Sequence, residues 1–110
     1  MEAIIQEIKA ERMYQEGKWG QQNHPILDPQ LKNRSPERMC EEYEIPSETR
    51  AKGMCDIHAE RKDLTYMHIL IEEVSEVASC GKDIELMRKE LIQVAAVTIA
   101  MIEALDRNGK

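Results

Sequence analysis

Two consecutive helical segments near the end of the chain each carry a short acidic motif, called here an acidic step. A short break between the segments predicts that the two steps lie side by side. The first step is EEVSE at Glu72–Glu76, the second is ELIQ at Glu90–Gln93, and the break between them is Cys80–Asp83. Residues three apart on a helix lie on one face, about one turn from each other. A break this short predicts that the helices fold back antiparallel, with both acidic steps in the hairpin.

The spacing of the steps from the break predicts that they meet. Glu76 lies six residues before Lys82 and Glu90 eight after it, while Glu73 lies nine before it and Gln93 eleven after it. At a rise of about 1.5 Å per residue, the two couples reach nearly the same height. Three carboxylates and one amide oxygen can thus converge, and such oxygen-only clusters suit Mg²⁺ or Mn²⁺. The predicted ligands are Glu73, Glu76, Glu90 and Gln93.

The sequence around the acidic residues is apolar, which helps to distinguish a cation site from a solvated helix face. Ile69–Ala78 is mostly aliphatic, and Leu91–Leu105 is almost wholly apolar. Uncompensated buried carboxylates are unfavourable unless a cation neutralises them, so this setting favours a cation site. The alternative is that the acids form only the solvent face of two amphipathic helices.

Length and composition predict a single all-α domain covering residues 1–110. The chain is 42% hydrophobic and has seven Met, one Trp, three Tyr and no Phe, so its core must be aliphatic, which is typical of helical proteins. The net charge is −6 and no basic block stands out. This argues against binding to a nucleic-acid duplex.

Cysteine usage and hydropathy favour a cytoplasmic protein. The three cysteines are widely spaced and form no CxxC, as expected for free thiols in a reducing compartment. The first residues lack the basic region of a signal peptide. The longest apolar run, Val94–Ile102, is far shorter than the roughly 20 residues that span a bilayer, so no membrane partner is expected.

Capping signals and periodicity predict five helices. Ser35, Ser47, Thr65 and Asp83 are expected to cap the last four, and Pro36 fits a first helical position. The predicted spans are about Glu2–Glu16 ending at Gly17, a short helix from Pro36 that stops before Pro46, one from Ser47 to about Lys62, one from Thr65 closed by Gly81, and one from Asp83 to about Arg107. The segment Lys18–Arg34 is predicted to be a loop.

The last helix predicts assembly. One apolar stripe follows Leu91, Val94, Ala95, Thr98, Met101, Ile102 and Leu105, and Ile92, Ala96, Ile99 and Ala100 form much of a second. A helix that is apolar nearly all round is central to its fold. Short companion helices cannot cover it alone, so we expect a homodimer or homotetramer.

The two acidic steps resemble a known family signature. EVSE at Glu73–Glu76 followed by ELIQ at Glu90–Gln93 resembles the EExxE…ExxD signature of the all-α nucleoside triphosphate pyrophosphohydrolases. This is the MazG-like superfamily, which also includes dimeric dUTPases and dCTP pyrophosphatases. Glu11–Pro25, His68–Val74 and Glu90–Val97 are similar to small bacterial and phage members, so the resemblance covers most of the chain.

The resemblance implies a fold, an activity and a cofactor. The fold would be a four-helix-bundle-like MazG fold with extra short helices, completed by oligomerisation. The activity would be Mg²⁺-dependent hydrolysis of a canonical or damaged nucleoside triphosphate to the monophosphate and pyrophosphate. Glu73, Glu76 and Glu90 match metal ligands, and the catalytic residues would be Glu72, Glu73 and Glu76. Gln93 stands where the family usually has Asp; its amide oxygen can coordinate Mg²⁺ but carries no charge.

The N-terminal Lys-Trp-Gly element supplies the candidate substrate-binding residues, which are Lys18, Trp19, Asn23 and His24. Two interpretations of Trp19 are open: it anchors a polar loop to the core, or it offers a stacking surface for a base whose edge is read by Gln22, Asn23 or His24. Lys18 is a candidate for contact with phosphates or is simply solvated.

A second function class remains open at this stage. Gln93 is neutral at a position where the family usually has a negatively charged Asp. The chain could therefore be a non-catalytic helical oligomer that binds a nucleotide or a protein. The converging acids favour the enzyme, and Gln93 favours the alternative. The pyrophosphate released from a panel of nucleotides would separate the two.

Overall fold

The computed structural model describes residues 1–31 and 33–109; Lys32, inside the predicted loop, and Lys110 lie outside the described residues. Its helices are α1 Glu2–Trp19, α2 Pro36–Glu42, α3 Glu48–Glu60, α4 Tyr66–Ala78 and α5 Ile84–Asn108, with a 3₁₀ turn at Pro29–Leu31. Residues 1–31 and 33–109 contain no strand. The predictions of an all-α chain and of five helices are confirmed over this part of the chain.

The four predicted N-caps are confirmed. The hydroxyls of Ser35 and Ser47 accept from the backbone N–H three residues on at 3.3 and 3.2 Å. The Asp83 carboxylate accepts from the third residue of α5 at 3.0 Å. Thr65 and His68 form a reciprocal cap, in which the Thr65 backbone N–H donates to His68 Nδ1 at 3.1 Å. Side chains that satisfy these otherwise unpaired N–H groups fix where α2 to α5 begin.

The predicted end of the first helix is wrong. α1 continues through Gly17 to Trp19, so Trp19 is the last helical residue and not part of a loop. The stop is Gly20, whose φ of 71° lies in the left-handed region and whose N–H donates to the Glu16 carbonyl at 2.7 Å. A helix tolerates an internal glycine at a cost of about 1 kcal/mol, whereas a positive φ strongly favours glycine.

α4 is the centre of the fold and packs on α5 and α3. α2 makes smaller contacts with α3 and α4. Ser75 on α4 is fully buried, and its hydroxyl donates to the Pro46 and Ile71 carbonyls at 2.9 Å each. The Cys40 thiol of α2, also fully buried, donates to the Ser75 carbonyl at 3.7 Å. Small buried side chains therefore link α4 to α2 and to the connection at Pro46.

The two longest helices are poorly covered. Ile4 is the buried residue of α1, and Met87 is that of α5. The radius of gyration is 16.0 Å, whereas about 13 Å is typical of a compact chain of about this length. The described residues include no helix with both the length and the apolar character needed to cross a bilayer.

Candidate metal centre

The hairpin of α4 and α5 brings together the three glutamates that the sequence singled out. The turn between the helices passes through Gly81, whose φ of 63° is left-handed, and the Asp83 N–H donates to the Cys80 carbonyl at 3.2 Å. One carboxylate oxygen from each of the three glutamates lies within 4.8 Å of the other two. The glutamates are Glu73, Glu76 and Glu90, and all are half-buried.

Gln93 joins this cluster through its amide nitrogen. The end of the amide that faces the acids lies 3.1 Å from Glu73 Oε2 and 3.2 Å from Glu90 Oε2, and with the nitrogen assigned to that end it donates to both. The sequence predicted that the amide oxygen would face a cation, and a half-turn of the amide would place it there. In the arrangement described, the two N–H groups of Gln93 bind carboxylate oxygens.

The electrostatics of the cluster favour retention of a proton. Burial raises the pKa of Glu76 to about 8, aided by its hydrogen bond with Glu90 and by the charges of Glu73, Glu90 and Glu72. Burial also raises the pKa of Glu73, as do the charges of Glu90 and Glu72, against a hydrogen bond from Glu76 that lowers it. Three carboxylates this close need a shared proton or a cation to neutralise them.

This proton predicts how the stability of the ion-free protein depends on pH. Since the pKa of Glu76 rises from 4.5 to about 8 on folding, its contribution to stability is complete below about pH 4.5. That contribution is lost as the pH rises toward 8, because the folded state then gives up a proton that the unfolded state has already released. We expect the melting temperature in EDTA to fall by several degrees across this window.

Glu76→Gln is the control for this measurement, because it removes the titrating group and leaves the other ionisable groups in place. Subtracting its melting curve isolates the contribution of Glu76. A difference between the two proteins that stays constant with pH would contradict the shared proton.

Glu72 is not one of the three converging glutamates, although its charge acts on Glu73 and Glu76. Its carboxylate lies beside the Cys55 thiol of α3, where burial first and this carboxylate second raise the pKa of Cys55 to about 11. Cys55 also donates to the His68 carbonyl at 3.3 Å. Of the three predicted catalytic residues, the structure brings together Glu73 and Glu76, and places Glu72 toward α3.

Of the four candidate substrate-binding residues, Trp19 lines a depression of its own at the end of α1. A cavity of about 290 Å³ is lined by Arg12, Gln15, Trp19, Gly20 and Gln22, without any residue of the cluster. Trp19 is 54% exposed, so it does not anchor a loop to the core. The Lys18 ammonium lies 5.0 Å from its ring centroid. His24 contacts the Gln22 side chain at 3.2 Å, and Asn23 is exposed. The cavity lined by Trp19 thus does not include the glutamate cluster.

Two cations that the sequence analysis passed over lie next to the cluster. A depression of about 460 Å³ on α5 is lined by Glu85, Arg88, Lys89, Ile92 and Gln93. Gln93 belongs both to this depression and to the cluster. Neither Arg88 nor Lys89 forms an ion pair with any described carboxylate. Their position directly before Glu90 in the sequence could have indicated a role near the cluster. Adjacent basic residues on a helix, however, usually mark only a solvated face.

Comparison with known proteins does not assign a family. No protein-family model matches the chain, and no significant match is found among curated proteins or solved structures. The MazG-like resemblance therefore stays a prediction that rests on the residues quoted for it.

Proposed function

We propose that this chain is a MazG-like nucleoside triphosphate pyrophosphohydrolase. It would convert a canonical or damaged (d)NTP to the monophosphate and pyrophosphate. The observation that carries the proposal is the convergence of Glu73, Glu76 and Glu90 within 4.8 Å, from two helices and at the positions the signature requires. Acids that served only as a solvent face would not need to meet across a hairpin.

The donor set fits a hard divalent cation, Mg²⁺ or Mn²⁺. Glu73, Glu76 and Glu90 offer carboxylate oxygens, and Gln93 would add its amide oxygen after the half-turn described above. Burial first, and then the neighbouring carboxylates, raise the pKa of Glu76, and a bound cation would relieve both effects. When bound, Mg²⁺ would supply charge neutralisation on the phosphates and a more acidic water.

Residues of the chain itself would position the phosphates. A molecule of net charge −6 repels an anionic substrate unless positive charge is focused at the site. Arg88 and Lys89 provide that charge in the depression that reaches Gln93. Phosphoryl chemistry depends mainly on such positioning and charge stabilisation, so no side-chain nucleophile is required. Lys18, Trp19, Asn23 and His24 remain proposed contacts to the substrate, brought to the site by movement or by another copy.

The proposal places the protein in the cytoplasm as a homo-oligomer. Its three cysteines are free, buried thiols, which is the usual state in a reducing compartment. The substrate would be a small nucleotide rather than a duplex, since the net charge is −6 and the sequence contains no basic block.

Gln93 supports one alternative, a non-catalytic oligomer of the same architecture that binds a nucleotide or a protein. Its amide nitrogen already satisfies Glu73 and Glu90 without a cation. A non-catalytic protein would be expected to have such a cluster, in which the carboxylates have hydrogen-bond partners without a metal ion.

A panel of the canonical and oxidised (d)NTPs, each with Mg²⁺, Mn²⁺ or EDTA, tests the function. We expect release of pyrophosphate rather than orthophosphate, dependent on the metal and confined to a subset of bases. Analysis of the products by ion-exchange chromatography distinguishes pyrophosphohydrolysis from stepwise removal of phosphate. Absence of turnover over the whole panel, together with nucleotide binding by calorimetry, would favour the non-catalytic alternative.

A further inference from the structure

A cavity of about 390 Å³ lies where the turn between α4 and α5 meets the segment before α2, and we call it the turn cavity. Its buried lining includes Met39 and Met87. Ile26 and Ile84 also line it, and they are 58% and 72% exposed although they are large apolar side chains. Its volume lies within the range of small-ligand sites, which is about 300–1,000 Å³. The described residues that line it include none of the glutamate cluster.

Two cationic side chains belong to this mainly apolar cavity. Arg34 and Lys82 line it, and both are exposed. Long basic side chains pack their stems on apolar surface and keep their charged ends in water, which places the charges at the mouth of the cavity. Neither residue forms an ion pair with a carboxylate of the described part of the chain.

The remaining charge of the lining is that of Asp28, which is partly engaged within its own turn. Its Oδ1 accepts from the Gln30 N–H at 2.9 Å. Two cations and one carboxylate give the lining a formal charge of +1, in a chain whose net charge is −6. A local positive charge in an acidic protein raises the concentration of small anions at that place.

Hydrogen-bonded turns hold the backbone on both sides of the turn cavity. Gly81 has a φ of 63°, a left-handed conformation that favours glycine, and it directs the chain into Lys82. The Arg34 N–H donates to the Leu31 carbonyl at 2.9 Å. The two cations are therefore carried by segments that are ordered before a ligand arrives, which reduces the entropy cost of binding.

We propose that the turn cavity binds a small amphipathic monoanion, an aliphatic carboxylate whose chain enters the cavity and whose head group contacts Arg34 and Lys82. Methionine side chains are unbranched and flexible, so Met39 and Met87 can adapt to an unbranched chain. The Arg34 guanidinium can bind a carboxylate through two parallel hydrogen bonds.

The chemistry of the turn cavity distinguishes this ligand from a nucleotide. The lining that the structure describes contains no aromatic ring on which a base would stack. Its formal charge of +1 matches one carboxylate and not a triphosphate. The turn cavity is thus a second site, independent of the proposed nucleotide chemistry.

Amide NMR spectra recorded during titration with octanoate test this proposal. 1-Octanol and octylammonium have the same chain with a neutral or a positive head group, so they isolate the contribution of charge. We expect octanoate to shift the signals of Gly81 and Met87 and to bind about tenfold more tightly than 1-octanol, with octylammonium weakest. Because the cations are exposed, the preference for octanoate should decrease as salt is added.

Variants at exposed positions separate the head group from the chain without disturbing the core. Arg34→Gln and Lys82→Gln are each expected to weaken octanoate binding about fivefold or more and to leave 1-octanol binding unchanged. Ile84→Ser is expected to weaken the binding of both ligands, since it shortens an apolar side chain of the lining. Lys52→Gln makes the same change of charge at an exposed position of α3 and is the matched control. It should bind octanoate like the wild type.

Equal affinities for octanoate and 1-octanol would overturn the proposal, as would full octanoate binding by both the Arg34 and Lys82 variants. Shifts confined to residues outside the turn cavity, or the absence of any shift, would overturn the site itself. These measurements do not depend on pyrophosphate release, so their failure would leave the proposed function as it stands.

Discussion

Replacing Glu76 with Gln is expected to abolish pyrophosphate release, with a loss of about 100-fold or more. Glu76 is the acid with the largest shift in the cluster, since burial and its neighbours raise its pKa to about 8. The amide cannot supply the charge that a divalent cation requires. Mg²⁺ or Mn²⁺ is expected to stabilise the wild type, because a ligand that binds the native state adds to its stability. This stabilisation should be lost in the Glu76→Gln variant. Glu90→Gln is expected to behave alike.

Glu60→Gln is the matched control, since it makes the same chemical change at an exposed position at the end of α3, outside both the glutamate cluster and the depression on α5. It should keep both the turnover and the metal-dependent rise in melting temperature. Thermal melts with titrated metal and pyrophosphate assays provide the two readouts. If the Glu76 and Glu90 variants melt and react like the wild type, the acids are a solvated face and the enzyme proposal fails.

Gln93→Asp is expected to change metal binding in the opposite direction. The substitution removes the N–H groups that bind Glu73 and Glu90 and adds a fourth carboxylate. In EDTA the variant should melt several degrees lower than the wild type, since like charges are then unrelieved. With Mg²⁺ the affinity should rise about tenfold or more, which corresponds to about 1.4 kcal/mol. Turnover should rise as well if the wild type is catalytic.

Gln93→Asn separates charge from side-chain length, because Asn has the reach of Asp and remains neutral. We expect it to lose stability in EDTA without any gain in metal affinity. Equal Mg²⁺ affinity for the Asp and Asn variants, measured by calorimetry, would show that position 93 lies outside the ion's coordination.

The elements with local signals were predictable from the sequence. Ser35, Ser47, Thr65 and Asp83 marked the starts of four helices, because a cap depends on residues within one turn. The convergence of Glu73, Glu76 and Glu90 was predictable too, since helical rise and a short turn fix relative height. The end of α1 was missed because an internal glycine and a terminal one look alike until φ is known.

The finer chemistry of the site depended on contacts that no local pattern encodes. The orientation of the Gln93 amide follows from having acceptors on both sides, one from each helix. The turn of Glu72 toward Cys55 follows from the position of α3, which the sequence does not give. Trp19 was assigned to a loop and lies at the end of a helix, so its relation to the glutamates could not be deduced from composition.

The small buried side chains of α4 have a consequence for how the spacing of the glutamates could be adjusted. Ser75 and Ala78 are both buried, and they lie on the same helix as Glu73 and Glu76. Because a close-packed interior accommodates added volume poorly, an added methylene at either position is expected to shift α4 relative to the helices packed on it. The spacing between carboxylates on neighbouring helices would then change with no ligand replaced. Under the proposed function, the preference for a smaller or a larger cation would therefore be adjustable through residues on the rear of α4 that lie outside the glutamate cluster.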